Sequence, residues 1–232
     1  MKKEKEIEVY FRDIFKLLQR VPCPIDPREG FREHASASNY PNPDHAIEWA
    51  KVRREELYER AEKGVGALPD EKLRAVWLCT GYNNDRAPLD YLESRGVAVI
   101  NRIDGGGGAR LGRTRSYGDQ TQFGRKLSPL EEVARETLNN IWIGLGPRWV
   151  DGLVAQAKDL SCDFVINFIQ SGCLQIAGLA QIVDESLERE GITSFRIEGR
   201  SLFTEGYDRD DVISRFADFV DMMLRKKGIP RQ

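Results

Sequence analysis

The chain has 232 residues, with 35 Lys and Arg against 37 Asp and Glu, for a net charge of −2. Hydrophobic residues make up 41% and charged residues 31%, the balance of a globular protein with a real core, which excludes wholesale disorder. A near-neutral chain has no global field to steer it onto nucleic acid or an anionic membrane, and no apolar run reaches the roughly 20 residues that span a bilayer.

The N-terminal stretch Met1–Phe15 starts charged but lacks an apolar run after it, so it does not read as a signal peptide and the expected location is cytoplasmic. Ile7, Tyr10, Phe11, Ile14, Phe15, Leu17 and Leu18 recur at helical spacing and predict a helix over 4–20. Pro22, Pro24 and Pro27 stop it, because each removes a donor and biases the preceding residue away from helix. Residues 30–43 read as loop. Asp44 is the predicted N-cap of a second helix over 45–63, closed by Gly64. Residues 1–70 thus form a helical, linker-like region.

From Lys72 the pattern changes. Arg74–Thr80 is a first apolar strand, Asp85–Arg95 a helix closed by Gly96, and Val97–Ile100 a second strand. Residues 101–127 read as a Gly- and Arg-rich loop. Ser128-Pro129-Leu130-Glu131 is a helix start, with Ser128 as N-cap and Glu131 placed to reach back. Pro147 opens a helix over 147–160. Asp163–Ile169 is a third strand, and Ser171-Gly172-Cys173 leads into a helix ending near Glu190. Ile192–Ile197 is a fourth strand. The last helix runs from Asp208 or Asp210 to about Lys227, with Asp208, Asp210 and Asp211 as capping acids rather than metal ligands. Strands alternating with helices predict an α/β fold: a helical N-terminal region, then over 71–232 a four-stranded parallel, Rossmann-like sheet flanked by helices. Ligands of such sheets lie outside the strand carboxyl ends, here Cys79–Asn84, Asn101–Arg115, Ile169–Cys173 and Glu198–Gly206.

The standard nucleotide motifs are absent: Thr80-Gly81-Tyr82-Asn83-Asn84-Asp85 is no GxGxxG, and there is no GxxxxGK[ST]. The second of the four loops carries Gly105–Gly108 with Arg110, Arg113 and Arg115. Its backbone N–H groups and guanidinium groups suit a phosphate, with Gly106, Gly107, Arg110 and Arg113 as candidate substrate contacts; the plain alternative is a solvated loop. Four cysteines without a CxxC pair and only two histidines, His34 and His45, exclude a zinc ribbon and HExxH chemistry. Cys173 stands where a strand ends and a helix begins, a place that favours a thiolate, so it is a candidate nucleophile or metal ligand, or else a small core side chain. Cys79 and Cys162 read as core residues and Cys23 as an incidental loop thiol.

Four stretches in order carry a resemblance. They are Arg74–Gly81 with Tyr91–Ile100; Ser128-Pro129-Leu130 with Arg148-Trp149; Asp163–Phe168 with Ser171-Gly172-Cys173; and Phe195–Gly199 with Arg209 and Ser214–Phe219. In this order residues 70–225 resemble the carboxyl-terminal part of the 2-hydroxyacyl-CoA dehydratase component D and benzoyl-CoA reductase subunit family, and the preceding helices look like that family's linker. The resemblance implies a heterodimer, with a homodimer as the other possibility, and a 4Fe-4S cluster held largely by cysteines. It also implies an ATP-dependent activator as electron donor and an acyl-CoA substrate whose thioester carbonyl takes up one electron. By the same resemblance Cys173 matches a cluster cysteine. The match departs from the family pattern in three places: no cysteine follows the second strand, the family's amino-terminal domain has no counterpart, and Glu198-Gly199-Arg200 has glycine and arginine where a carboxylate is frequent. The ligand set within the chain is therefore incomplete, and no catalytic residue is assigned. Three readings follow: a radical-type dehydratase or reductase subunit, a cluster-less interaction subunit of the same fold, or a small-anion-binding module.

Overall fold

The computed structural model describes residues 2–26, 42–82, 85–103, 127, 128, 130, 131, 134, 146–201 and 206–230. The elements are α1 (Lys2–Leu17), α2 (Pro43–Glu62), β1 (Leu73–Leu78), α3 (Ala87–Ser94), β2 (Val97–Ile103), α4 (Gly146–Asp159), β3 (Phe164–Gln170), α5 (Leu174–Arg189), β4 (Thr193–Gly199) and α6 (Arg209–Lys226). The four strands form one all-parallel sheet in the order β2-β1-β3-β4, as the alternation of elements predicts.

Side-chain parity along β3 shows the two faces. Phe164 meets Phe219 of α6 edge-on, whereas on the opposite face Asn167 bonds Asp184 and the Ala180 carbonyl of α5. α3 packs with α6 and α4 with α5. Helices thus cover both faces, which is why β1 is buried along its whole length and β2 and β3 nearly so. β4 is one edge strand and β2 the other, and Arg196 and Glu198 of β4 are exposed. No helix among the described residues is long and apolar enough to cross a membrane.

α1 packs on α2, and both join the same core as the sheet. The polar latch is Arg74 at the start of β1. Its guanidinium donates to the carbonyls of Arg20 (2.8 Å) and Leu18 and pairs with Glu71 at 3.1 Å. Glu71 in turn accepts the Cys23 N–H at 2.6 Å. This corrects the reading of Cys23: it is no incidental loop thiol but a core residue, 2% exposed, and burial pushes its thiol up to about 11.

Other boundaries shift for identifiable reasons. The second helix starts at Pro43, not after Asp44. Asn42 is the cap, its side-chain oxygen accepting the Asp44 N–H, and Pro43 needs no donor in the first turn. β2 continues to Ile103 rather than stopping at Ile100. The polar Asn101 is buried because its amide donates to Gln156 of α4 at 3.0 Å. The Ser128 start is a reciprocal capping box: Ser128 N–H donates to Glu131, and Glu131 N–H faces the Ser128 hydroxyl at 3.4 Å. Asp208 caps α6, accepting from the N–H groups of Asp210 and Asp211.

Candidate functional site

Strand order decides where a ligand enters. The chain leaves β1 for β2 on one side, then crosses back to lay β3 on the other side of β1. The connections after β1 and β3 lead to helices on opposite faces, so a crevice opens above the carboxyl ends of these two strands. Its walls are Cys79–Tyr82 after β1 and Gln170–Cys173 after β3, with Gly199–Ser201 after β4 alongside.

Gln170 to Cys173 form a tight turn closed by the Cys173 N–H on the Gln170 carbonyl at 3.0 Å. Gly172 has φ +84°, the left-handed value that the third residue of such a turn requires, so the glycine before the cysteine is dictated locally. Cys173 occupies the N-cap position of α5 in extended conformation, and its sulfur makes no capping bond. It is half-buried, and its neighbour Leu174 is 89% exposed. Cys79 shares the crevice. It is 5% exposed, so it packs in the core as predicted, yet its φ is +71°, a left-handed conformation unusual for a side chain with a Cβ. Burial raises its thiol, and Cys173 adds a smaller electrostatic contribution in the same direction. Cys162 precedes β3 at the opposite end of the sheet, and burial pushes it up to about 12.

Gln170 is the hub of the crevice. Its side-chain oxygen accepts the Ser201 N–H at 3.1 Å, the Thr80 hydroxyl at 3.2 Å and the Ser201 hydroxyl. The two hydroxyls also touch one another. Beside this hub lies an aromatic floor. Tyr82 meets Phe168 edge-on at 5.0 Å, and Trp77 lies 5.9 Å from Phe168 and 6.0 Å from Phe216. The Tyr82 hydroxyl donates to the Glu198 carbonyl at 2.9 Å, and burial pushes its phenol up to about 12. Tyr82 also explains the sequence Glu198-Gly199-Arg200: a Cβ at Gly199 would stand 2.4 Å from the Tyr82 ring, so no carboxylate side chain fits there.

Two clefts open beside β4. One, of about 380 Å³, is lined by Tyr82, Ser171, Arg200, Tyr207 and Asp211 among others. The second, of about 310 Å³, is lined by Ile169, Ala177, Ala180 and Arg196. Glu198 and Arg215 line both.

Asp85, bonded to Tyr207 of the first cleft, ties the β1 loop to α6. It accepts from the Tyr207 hydroxyl (2.8 Å), Arg209 Nε (2.7 Å) and the Ala87 N–H (3.0 Å). Burial by itself raises its carboxyl, but these three hydrogen bonds and the Arg209 charge outweigh it and hold the group below its ordinary value. A carboxyl depressed in the folded state stabilises above its unfolded pKa of about 3.9, and that contribution is lost as pH falls through the folded value. Asp85→Asn is therefore expected to lower the urea midpoint at pH 6 more than at pH 2.5. An equal loss at both pH values would show that the carboxylate charge is not what holds the loop.

The sequence-predicted site residues separate. Cys173 lies in the crevice. Gly106, Gly107, Arg110 and Arg113 fall outside the described residues. Thr80, Gln170 and Ser201 were not singled out by sequence, since their common contact joins residues 90 and 31 apart in the chain. No three His, Cys, Asp or Glu side chains among the described residues converge as a metal site. All four cysteines of the chain are among those residues; Cys162 lies at the amino end of the sheet, and Cys23 beside the Arg74 latch at that same end. The described residues therefore do not fit a complete cluster holder; Cys173, with Cys79 beneath it, is what they offer.

No curated protein matches the chain. The family model described as 2-hydroxyglutaryl-CoA dehydratase, D-component, matches residues 1–223, nearly the whole length, and so covers the helical region as well as the sheet. The chain belongs to the 2-hydroxyglutaryl-CoA dehydratase D-component family.

Proposed function

We propose that the chain is one component of a radical-type acyl-CoA dehydratase complex, which binds its substrate at the β1/β3 crevice and contributes Cys173 as one thiolate of an iron–sulfur cluster completed from outside these residues. Family membership carries the acyl-CoA substrate and the companion component. The observation behind the ligand assignment is the position of Cys173, a half-buried thiol at the switch point whose sulfur is not spent on capping its helix. A bound cluster would supply single electrons at low potential, which on this reading an ATP-dependent activator would deliver. The chain's own residues hold the substrate: the crevice orients the acyl end, and Arg215, shared by both clefts, suits a negatively charged part of it. Reduction of an aromatic acyl-CoA is the sister reaction.

A second reading, a cluster-less interaction subunit of the same fold, draws on the cysteine positions: two of the four lie away from the crevice, and Cys79 is buried. One experiment separates the readings. The chain is purified anaerobically with whatever co-purifies, and iron and acid-labile sulfide are measured in wild type, Cys173→Ser and Cys162→Ser. Loss of iron in Cys173→Ser alone is the expected result. Equal iron in wild type and Cys173→Ser removes Cys173 from the ligand set, and iron-free wild type favours the interaction subunit.

A further inference from the structure

The Gln170 carboxamide is fixed in one orientation. A backbone N–H only donates, so the side-chain atom facing the Ser201 N–H at 3.1 Å is the oxygen, and the amide nitrogen is turned the other way. The Thr80 and Ser201 hydroxyls crowd onto the same oxygen and onto each other, which locks the rotamer from two strands. The amide nitrogen finds no acceptor among the described residues, so both its protons are on offer. It is offered at the switch point, on the residue whose carbonyl closes the turn onto Cys173.

We infer that Gln170 is a substrate-binding residue whose Nε2 donates a hydrogen bond to the thioester carbonyl oxygen of the bound acyl-CoA, with Thr80 and Ser201 as its positioning residues. The inference rests on the acyl-CoA reading above. The donor is uncharged, so it suits an uncharged oxygen rather than a phosphate or carboxylate, which call for cations. A preorganised donor also needs no reorientation when charge gathers on that oxygen. In an acyl-CoA the thioester carbonyl is the acceptor at the reacting end, and the reacting end belongs beside Cys173.

The test uses the full chain with any co-purifying partner and two probes, 2-hydroxyglutaryl-CoA and its thioether analogue, in which a methylene replaces the carbonyl. Gln170→Glu keeps an oxygen for the three donors but removes the N–H group. By calorimetry it is expected to lose about tenfold in thioester affinity and little in thioether affinity, since one hydrogen bond and an unpaired acceptor are at stake. Thr80→Val, which leaves Gln170 in place but loosens it, is expected to lose about threefold on the thioester alone, and Thr80→Ser to restore it. Equal losses on both probes, or an unchanged thioester affinity in Gln170→Glu, would overturn the inference while leaving the acyl-CoA reading intact. A wild type that binds neither probe would instead overturn the acyl-CoA reading, and the inference with it.

Discussion

Arg74→Ala is expected to cost about 3–5 kcal/mol of stability, the range seen when one partner of a buried ion pair is removed. Arg74 is 3% exposed, and the side chain of Glu71 is equally buried. The substitution leaves the Glu71 carboxylate without its cation and strips the Leu18 and Arg20 carbonyls of their donors. With about 2–4 °C per kcal/mol for a chain of this size, the melting temperature should drop by about 10 °C. Urea unfolding checks the cost. The double replacement Glu71→Met with Arg74→Met should recover much of it, because an apolar pair avoids the desolvation that the ions suffer. A single-variant loss below about 1 kcal/mol would mean that the latch is solvated in the folded protein.

Phe216→Ala carries the second large effect, about 3–5 kcal/mol, for a fully buried ring whose removal leaves a cavity. Phe216 is 0% exposed, 6.0 Å from Trp77 and 4.9 Å from Phe195. It therefore supports both the floor of the crevice and the edge strand β4. Trp77 loses its neighbour on the α6 side, so tryptophan emission in the folded variant should shift to the red as water reaches the ring. Phe219→Ala is the comparison: Phe219 touches Phe164 and Phe195 without an observed stacking contact to Trp77, so stability should fall with no such shift. A red shift of equal size in both variants would detach Phe216 from the floor.

The periodicity of α1, the apolar runs of β1 and β3, and the caps at Ser128 and Asp208 were readable because each is a local pattern of burial or hydrogen bonding. What stayed hidden was non-local. Asn101 looked like the end of a strand because its partner Gln156 stands 55 residues away. Arg74 entered only as the first residue of an apolar strand, since its acceptors are main-chain carbonyls just past the end of α1, 54 and 56 residues back. Asn42 was passed over for the charged Asp44, although Pro43 between them makes Asn42 the better cap. In the crevice, Cys173 was visible through its strand–turn–helix setting. Gln170 was not, because nothing in a strand-ending glutamine announces that two hydroxyls will meet it from neighbouring strands.

The crevice also has a history within each folding event. β1 meets β2 across only 24 residues, Leu73 opposite Val97, whereas it meets β3 across 89, Ala75 opposite Phe164. Closing the longer excursion carries the greater entropic cost, so the unit of β1, α3 and β2 can pair first and β3 docks afterwards. Until that docking there are two separate lips and no crevice. A molecule that fits between them therefore recognises only chains whose central pairing is complete. Its binding free energy adds to the stability of the whole sheet rather than to one loop, and occupancy of the crevice becomes a measure of how much of the chain has finished folding.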